Sequence, residues 1–471
     1  MQNRLLTGGA QHRAAPRSGL LFALLFLLSA CGGGSSAPPP ATYAIGGSIS
    51  GLRVAGLVLQ NNGGSNLSVP AGASSFRFST PVASGSTYDV TVLTSPPGPP
   101  AQSCTVQNGS GTVSSVAPVI NVACITAASE ILVGIDGTGT IYGYPIDPDT
   151  GALRSASVTM AAGAAALATD PTGKWVYSAS LSENTVSGYQ VSSAAGLQDI
   201  PGSPFAAPNQ SHGLVIEPAG RYLYVTAGLP GLLGYAINSA SGALTPIAGS
   251  PFPAPAYSAA PAVPPLSVSC QLTCAATPSA LFATINYAEP AYALAGFSID
   301  SATGALRGTV TTTLPAANGT PYDVVIDPSG NFLYASMPGA LGIYGVDSIA
   351  ASVTSIGALN PPTIQWGSVA AEPSGKYLYA SAGYIDGGAL LEQFRIDPAT
   401  GLPTNLAPPL AGQAGTTLVV IDRTGRFLYA VAGTSAYGYS IDTSTGLLTA
   451  LAGSPFAISA SLTAASTALI P

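Results

Sequence analysis

The 471-residue chain is sparsely charged and acidic: 7% of its residues are Asp, Glu, Lys or Arg, and the formal net charge is −7. With 13 Lys and Arg against 20 Asp and Glu, and no basic cluster, it lacks the electrostatic footprint of a nucleic-acid partner. Apolar residues make up 47% of the chain, yet only one long apolar run exists, near the N-terminus, so the rest belongs to short strands and not to membrane spans.

Residues 1–30 read as an export signal. Arg4, Arg13 and Arg17 form a positive start, and Leu20–Leu28 is an apolar run too short to span a bilayer as a mature helix. It ends in Leu28-Ser29-Ala30-Cys31, which resembles the bacterial lipobox. That resemblance implies lipidation of Cys31, and Gly32 in place of Asp points to the outer membrane, facing either side. Cleavage removes three arginines and takes the net charge from −7 to −10. Residues 31–42 are the lipidated Cys and a flexible tether rich in Gly, Ser, Ala and Pro, so a lipid anchor is the expected membrane contact.

An even number of cysteines remains after Cys31: Cys104, Cys124, Cys270 and Cys274. In an exported protein they read as disulfides. Cys104 with Cys124 ties two strands, worth roughly 3 kcal/mol in the chain-entropy model, and Cys270 with Cys274 staples a hairpin. The mature chain has one histidine, His212, and no Cys-x-x-Cys pair, so no metal or cofactor is expected.

Residues 43–125 alternate apolar and polar in short runs, which predicts strands at 43–50, 56–60, 67–70, 75–80, 88–93, 104–107 and 119–124. Asn61-Asn62-Gly63-Gly64, Ala71-Gly72 and Asn108-Gly109 supply turns. Such a pattern predicts a small β-sandwich, immunoglobulin-like in general class. With Gly56–Asn61 and Tyr88–Val92 the segment resembles the β-sandwich repeats of bacterial surface proteins, which implies a spacer or adhesion role.

Residues 128–471 carry two interleaved repeats. One is an aromatic strand running into an Ile-Asp-type turn, as in Gly143-Tyr144-Pro145-Ile146-Asp147 with Thr150-Gly151; its aromatics fall at 144, 189, 235, 297, 344, 394 and 439. The other is an apolar strand, an acid, a turn and an aromatic strand ending in Tyr, as in Asp327-Pro328-Ser329-Gly330-Asn331-Phe332-Leu333-Tyr334. Most steps are about 45–50 residues, the length of one four-stranded propeller blade. One hairpin is disguised, with an inner strand at 266–269, a cysteine-bearing turn at 270–278 and a loop at 252–265 that lengthens this step. The first copy, from Glu130, lacks an inner strand, and residues 466–471 supply one. The fold class is therefore all-β: a seven-bladed β-propeller preceded by the sandwich, closed by both termini.

The Asp-Pro-x-Gly-x-(aromatic)-Leu-Tyr hairpins and the Ile-Asp-x-x-(Thr/Ser)-Gly-x-Leu turns resemble the lactonase family of seven-bladed propellers, which includes bacterial 6-phosphogluconolactonases. The resemblance implies a site at the channel mouth, where inner strands begin. His212, in His212-Gly213-Leu214-Val215, matches the family's histidine, and Asp323 stands where the family has a glutamate, so the pair is the implied catalytic set for attack on a lactone ester. Tyr322, Gln365, Trp366 and Thr416 enter inner strands and are binding candidates, Trp366 either as a stacking surface for a sugar or as a filler of the core. The family's arginines have no counterpart: Ser336-Met337-Pro338 and the segment 268–270 stand at their positions. A phosphorylated lactone is therefore not the expected ligand. Two expectations follow. The first is a monomeric envelope lipoprotein whose propeller binds a carbohydrate, a lactone or an envelope protein. The second is a lactone or ester hydrolase acting on an unphosphorylated sugar lactone.

Overall fold

The computed structural model describes residues 40–97, 102–126, 130–156, 158–161, 163–180, 182–192, 196–207, 213–226, 231–253, 267–276, 279–288, 291–314, 321–361, 364–384, 389–412 and 416–469. The export signal, Cys31, most of the tether and His212 lie outside them. Among the described residues there are strands and no α-helix.

The N-terminal part forms two four-stranded sheets around one buried cluster. Phe76, Ile49, Val122 and Cys104 come from one sheet, and Val69, Leu57, Leu59, Tyr88 and Val90 from the other. Gly46–Ser50 pairs in parallel with Ile120–Thr126, while Leu57–Asn61 forms a hairpin with Ser65–Val69 over the Asn62-Gly63 turn. The short pair Thr42–Tyr43 with Val82–Ala83, and the strand Ser110–Thr112, were not foreseen. Cys104 and Cys124 sit opposite each other in the register and are joined, as expected. A polar joint links this part to the next. Asp149 pairs with Arg53 at 3.1 Å and accepts Thr126 Oγ1–H at 2.6 Å, while Arg154 donates to the Thr126 carbonyl at 2.9 Å.

Seven antiparallel sheets of four or five strands follow among the described residues. Their inner strands are neighbours in one closed cycle, and one buried apolar cluster fills each seam between successive sheets. This is a β-propeller. Closure is as the sequence predicts, with one revision: the C-terminal inner strand starts earlier, at Leu462–Leu469, and pairs with Glu130–Asp136. Leu462 explains the earlier start, because it is 1% exposed and fills the seam beside Gly134.

The disguised hairpin is revised too. The inner strand runs Ser267–Ala276, straight through the expected turn, and pairs with Ser279–Ala288. Cys270 and Cys274 thus share one strand, and their side chains, with the expected staple between them, lie outside the described residues. The expected loop at 252–265 falls outside them from residue 254.

The two sequence repeats turn out to be halves of one inter-blade latch. In five blades the hairpin Tyr donates its hydroxyl to the carbonyl of the turn glycine in the next blade: Tyr177 to Gly242, Tyr224 to Gly304, Tyr334 to Gly401, Tyr379 to Gly446 and Tyr429 to Gly151, all at 2.7–2.8 Å. The hairpin aromatic two residues earlier covers the same glycine. A Cβ at Gly401 would lie 2.2 Å from the Phe332 ring, and its φ of +71° disfavours any side chain. Phe282 lacks the hydroxyl, and there the partner turn carries Ala351 at φ 48° in place of glycine. Gly401→Ala is expected to cost more than about 2 kcal/mol, and Tyr334→Phe about 1 kcal/mol, because one removes packing and strain-free backbone and the other a single buried hydrogen bond. Urea titration distinguishes them; equal losses would contradict the latch.

Candidate functional site at the channel mouth

Each blade's inner strand runs from the mouth end of the propeller to the end that carries the hairpin turns. At the turn end four buried acids are consumed locally. Asp170, Glu217, Asp327 and Asp422 each accept N–H groups from their own hairpin, for example Trp175 N at 2.6 Å and Phe332 N at 2.8 Å. Asp147, Asp300, Asp397 and Asp442 likewise each hold two N–H groups of their turn, and these bonds help keep their carboxyls below the usual range. They are turn formers.

Asp323 is different. It opens the inner strand Asp323–Ile326 at the mouth end, is half-buried, and its carboxylate reaches across the seam to the next blade. Oδ2 accepts Ser368 Oγ–H at 3.1 Å and Val369 N–H at 3.0 Å. Burial pushes the carboxyl up to about 6, and these hydrogen bonds oppose the rise without cancelling it. A carboxyl raised to about 6 titrates close to neutral pH, which suits a general base or a ligand-binding acceptor.

The other expected residues are distributed unevenly around it. Tyr322 precedes Asp323 and is 52% exposed. Gln365 is exposed near the start of Ile364–Ala371, and Thr416 is half-buried at the start of Thr416–Ile421. Trp366 takes the core-filling reading and not the sugar-stacking one. It is 3% exposed, packs in a core seam with Phe394 at a centroid distance of 6.0 Å, and offers no face to a sugar. Its indole N–H has no hydrogen-bond partner among the described residues. His212 lies outside the described residues; its neighbour Gly213 donates N–H to Thr226 Oγ1 at 2.8 Å.

Sequence reasoning passed over the hydroxyls. Ser381 Oγ accepts Ser368 N–H at 2.8 Å, just as Thr226 serves Gly213. The available signal was the recurrent Tyr-x-(Ser/Thr) at the end of the second strand: Tyr224-Val225-Thr226, Tyr334-Ala335-Ser336 and Tyr379-Ala380-Ser381.

Charge is segregated between the two ends. The propeller's Lys and Arg residues are Arg154, Lys174, Arg221, Arg307, Lys376, Arg395, Arg423 and Arg426, and every one lies at or beside the turn end. Several are tied there: Lys174 lies over Trp175, Arg221 bonds Glu217 and the Ser301 carbonyl, and Arg426 bonds the Pro148 carbonyl. The mouth end carries Asp136, Glu183 and Asp323. Among the described residues no three His, Cys, Asp or Glu side chains gather as a metal site.

No family model matches the chain, and no curated protein matches it. Solved structures do. A candidate 6-phosphogluconolactonase from Bacteroides uniformis is 18% identical, with 73% of this chain and 100% of that chain covered and a TM-score of 0.58. A second candidate 6-phosphogluconolactonase, from Bacteroides fragilis, is 16% identical over 72% of this chain and 98% of that one, with a TM-score of 0.56. The periplasmic gluconolactonase of Pseudomonas aeruginosa is 16% identical over 73% of this chain and 99% of that one, with a TM-score of 0.57. At such identities the likeness concerns the fold, and it is the fold of a lactonase-like propeller.

Proposed function

We propose that this is an envelope lipoprotein, anchored through Cys31 to the outer membrane, whose seven-bladed propeller binds an uncharged, hydroxyl-rich ligand at the channel mouth. The disulfide-bonded sandwich of residues 43–125, immunoglobulin-like in general class, serves as its spacer. One observation carries the ligand assignment: the mouth end carries the acids Asp136, Glu183 and Asp323, the hydroxyls of Tyr322 and Thr416 and the exposed Gln365 amide, while every propeller Lys and Arg lies at the other end. A phosphate or carboxylate on the ligand would meet no counter-charge there.

A second reading, hydrolysis of an unphosphorylated sugar lactone, is supported by Asp323 itself. A carboxyl near 6 can take a proton from water attacking the ester carbonyl, and His212 is the partner that the family resemblance implies. The test uses soluble protein with Cys31 removed, offered neutral and acidic sugar lactones, with proton release and binding heat both recorded. Hydrolysis of neutral lactones that falls at least about 100-fold in Asp323→Asn and His212→Ala establishes the enzyme. Binding without turnover, weakened by Asp323→Asn, establishes the binding propeller. Preference for acidic lactones overturns the ligand assignment.

A further inference from the structure

We infer that Ser368, seated by Ser381, is the positioning residue that makes Oδ1 of Asp323 the working atom of the mouth. The inference rests on the reading that Asp323 belongs to the ligand site.

The backbone sets this up. On the inner strand Ile364–Ala371, Trp366 pairs with Ala382 but Val369 pairs with Ala380, so the strand carries one extra residue at a bulge. A bulge releases an N–H from the ladder and re-aims side chains. Here Val369 N–H turns to Asp323 of the preceding blade, and Ser368 Oγ–H joins it on the same oxygen, Oδ2. Ser381, 1% exposed, clamps the bulge from behind by accepting Ser368 N–H at 2.8 Å and donating to the Ser368 carbonyl at 3.4 Å.

Two donors on Oδ2 stabilise negative charge on that oxygen and disfavour a proton there. The proton is therefore expected on Oδ1, the oxygen to which neither Ser368 nor Val369 donates, while the Val324 N–H adds a smaller backbone contact to the carboxyl. Either a ligand hydroxyl or an attacking water therefore meets Oδ1. The surroundings leave this assignment to hydrogen bonds and burial. The strand Ile364–Ala371 carries no ionisable side chain. Ser267–Ala276, on the other side, carries Cys270 and Cys274, whose side chains lie outside the described residues. Tyr322 precedes Asp323, and Tyr334 on the paired strand directs its hydroxyl to Gly401.

The test follows the Asp323 side-chain carbon by NMR in the mature protein labelled at aspartate, with Asp323→Asn giving the assignment. Removing a donor from the ionised form weakens that form, so Ser368→Ala is expected to raise the titration midpoint, increasing proton affinity about threefold or more. Ser368→Thr, which keeps the hydroxyl, restores it. Ser381→Ala raises it less and supplies a second variant should Ser368→Ala fold poorly. A folded Ser368→Ala or Ser381→Ala protein with an unmoved midpoint overturns the inference, even if its melting temperature falls. Shifted midpoints in a protein that binds no lactone or sugar leave the positioning role standing and remove the proposed ligand.

Discussion

Truncation after Ser461, which removes the closing strand Leu462–Leu469, is expected to abolish the cooperative unfolding transition. That strand gives the first blade its inner edge: it pairs with Glu130–Asp136 along nearly its whole length. Leu462 and Ala468 are 1% and 0% exposed, and they close the two seams that flank the first blade. Burial of Leu462 contributes roughly 2–3 kcal/mol, and each lost ladder hydrogen bond about 1 kcal/mol net. Summed over the strand, the loss rivals the roughly 5–15 kcal/mol that holds a typical domain together. The truncated chain also exposes Ile131, Leu132, Val133 and Ile135 along an unpaired edge, which favours aggregation. Thermal melting followed by circular dichroism decides the matter, and a synthetic peptide spanning 462–471 should restore the transition. An unchanged melting curve in the truncated chain would refute closure by the terminal strand.

The repeats made the propeller legible because they recur with a spacing that only one strand-built unit fits. What they could not reveal is that Tyr334 and Gly401, 67 residues apart, touch. Each motif read locally looks complete, as a hairpin or as a turn, and only ring geometry brings one blade's Tyr to the next blade's Gly. The disguised hairpin is present, but its turn lies later than expected for a related reason. Cys270 and Cys274 suggested a stapled turn, whereas Thr273, Cys274 and Ala275 continue a regular ladder with Phe282, Leu281 and Ala280. At the mouth, Asp323 was found by its place at a strand start, but the bulge that gives it Ser368 and Val369 depends on one extra residue in a strand that reads as unbroken. Trp366 shows the limit from the other side: an aromatic at a strand start is placed by sequence, but whether it faces the channel or the seam is set by that same bulge.

Glu130→Gln is expected to stabilise the protein above neutral pH and to change little in acid. By register with the next blade, Glu130 occupies the slot that Lys174, Arg221, Asn331, Lys376 and Arg426 fill elsewhere, just before the hairpin aromatic. In the first blade that slot is buried at the meeting of the two chain ends. Glu130 is 4% exposed, its Oε1 has no hydrogen-bond partner among the described residues, and Oε2 accepts only Arg423 N–H, at 3.2 Å. The Arg423 guanidinium turns away to the carbonyls of Asp170 and Pro171 in the second blade. Burial first, and then the neighbouring Asp422 carboxylate, push the Glu130 carboxyl up to about 7 from 4.5, against the weaker pull of Arg423 and Arg426. The folded protein thus holds this proton more tightly than the unfolded chain does. Its contribution to stability is intact below pH 4.5 and is lost as pH rises from 4.5 through about 7. Above that range the buried charge costs on the order of 3 kcal/mol. Glutamine keeps the shape without the charge, so urea unfolding should give similar stability for both proteins at pH 4.5 and a gain for Glu130→Gln that grows up to pH 8. Parallel pH profiles would mean that Glu130 finds a counter-charge in solution, and that the closing seam is no more acid-stabilised than the rest of the ring.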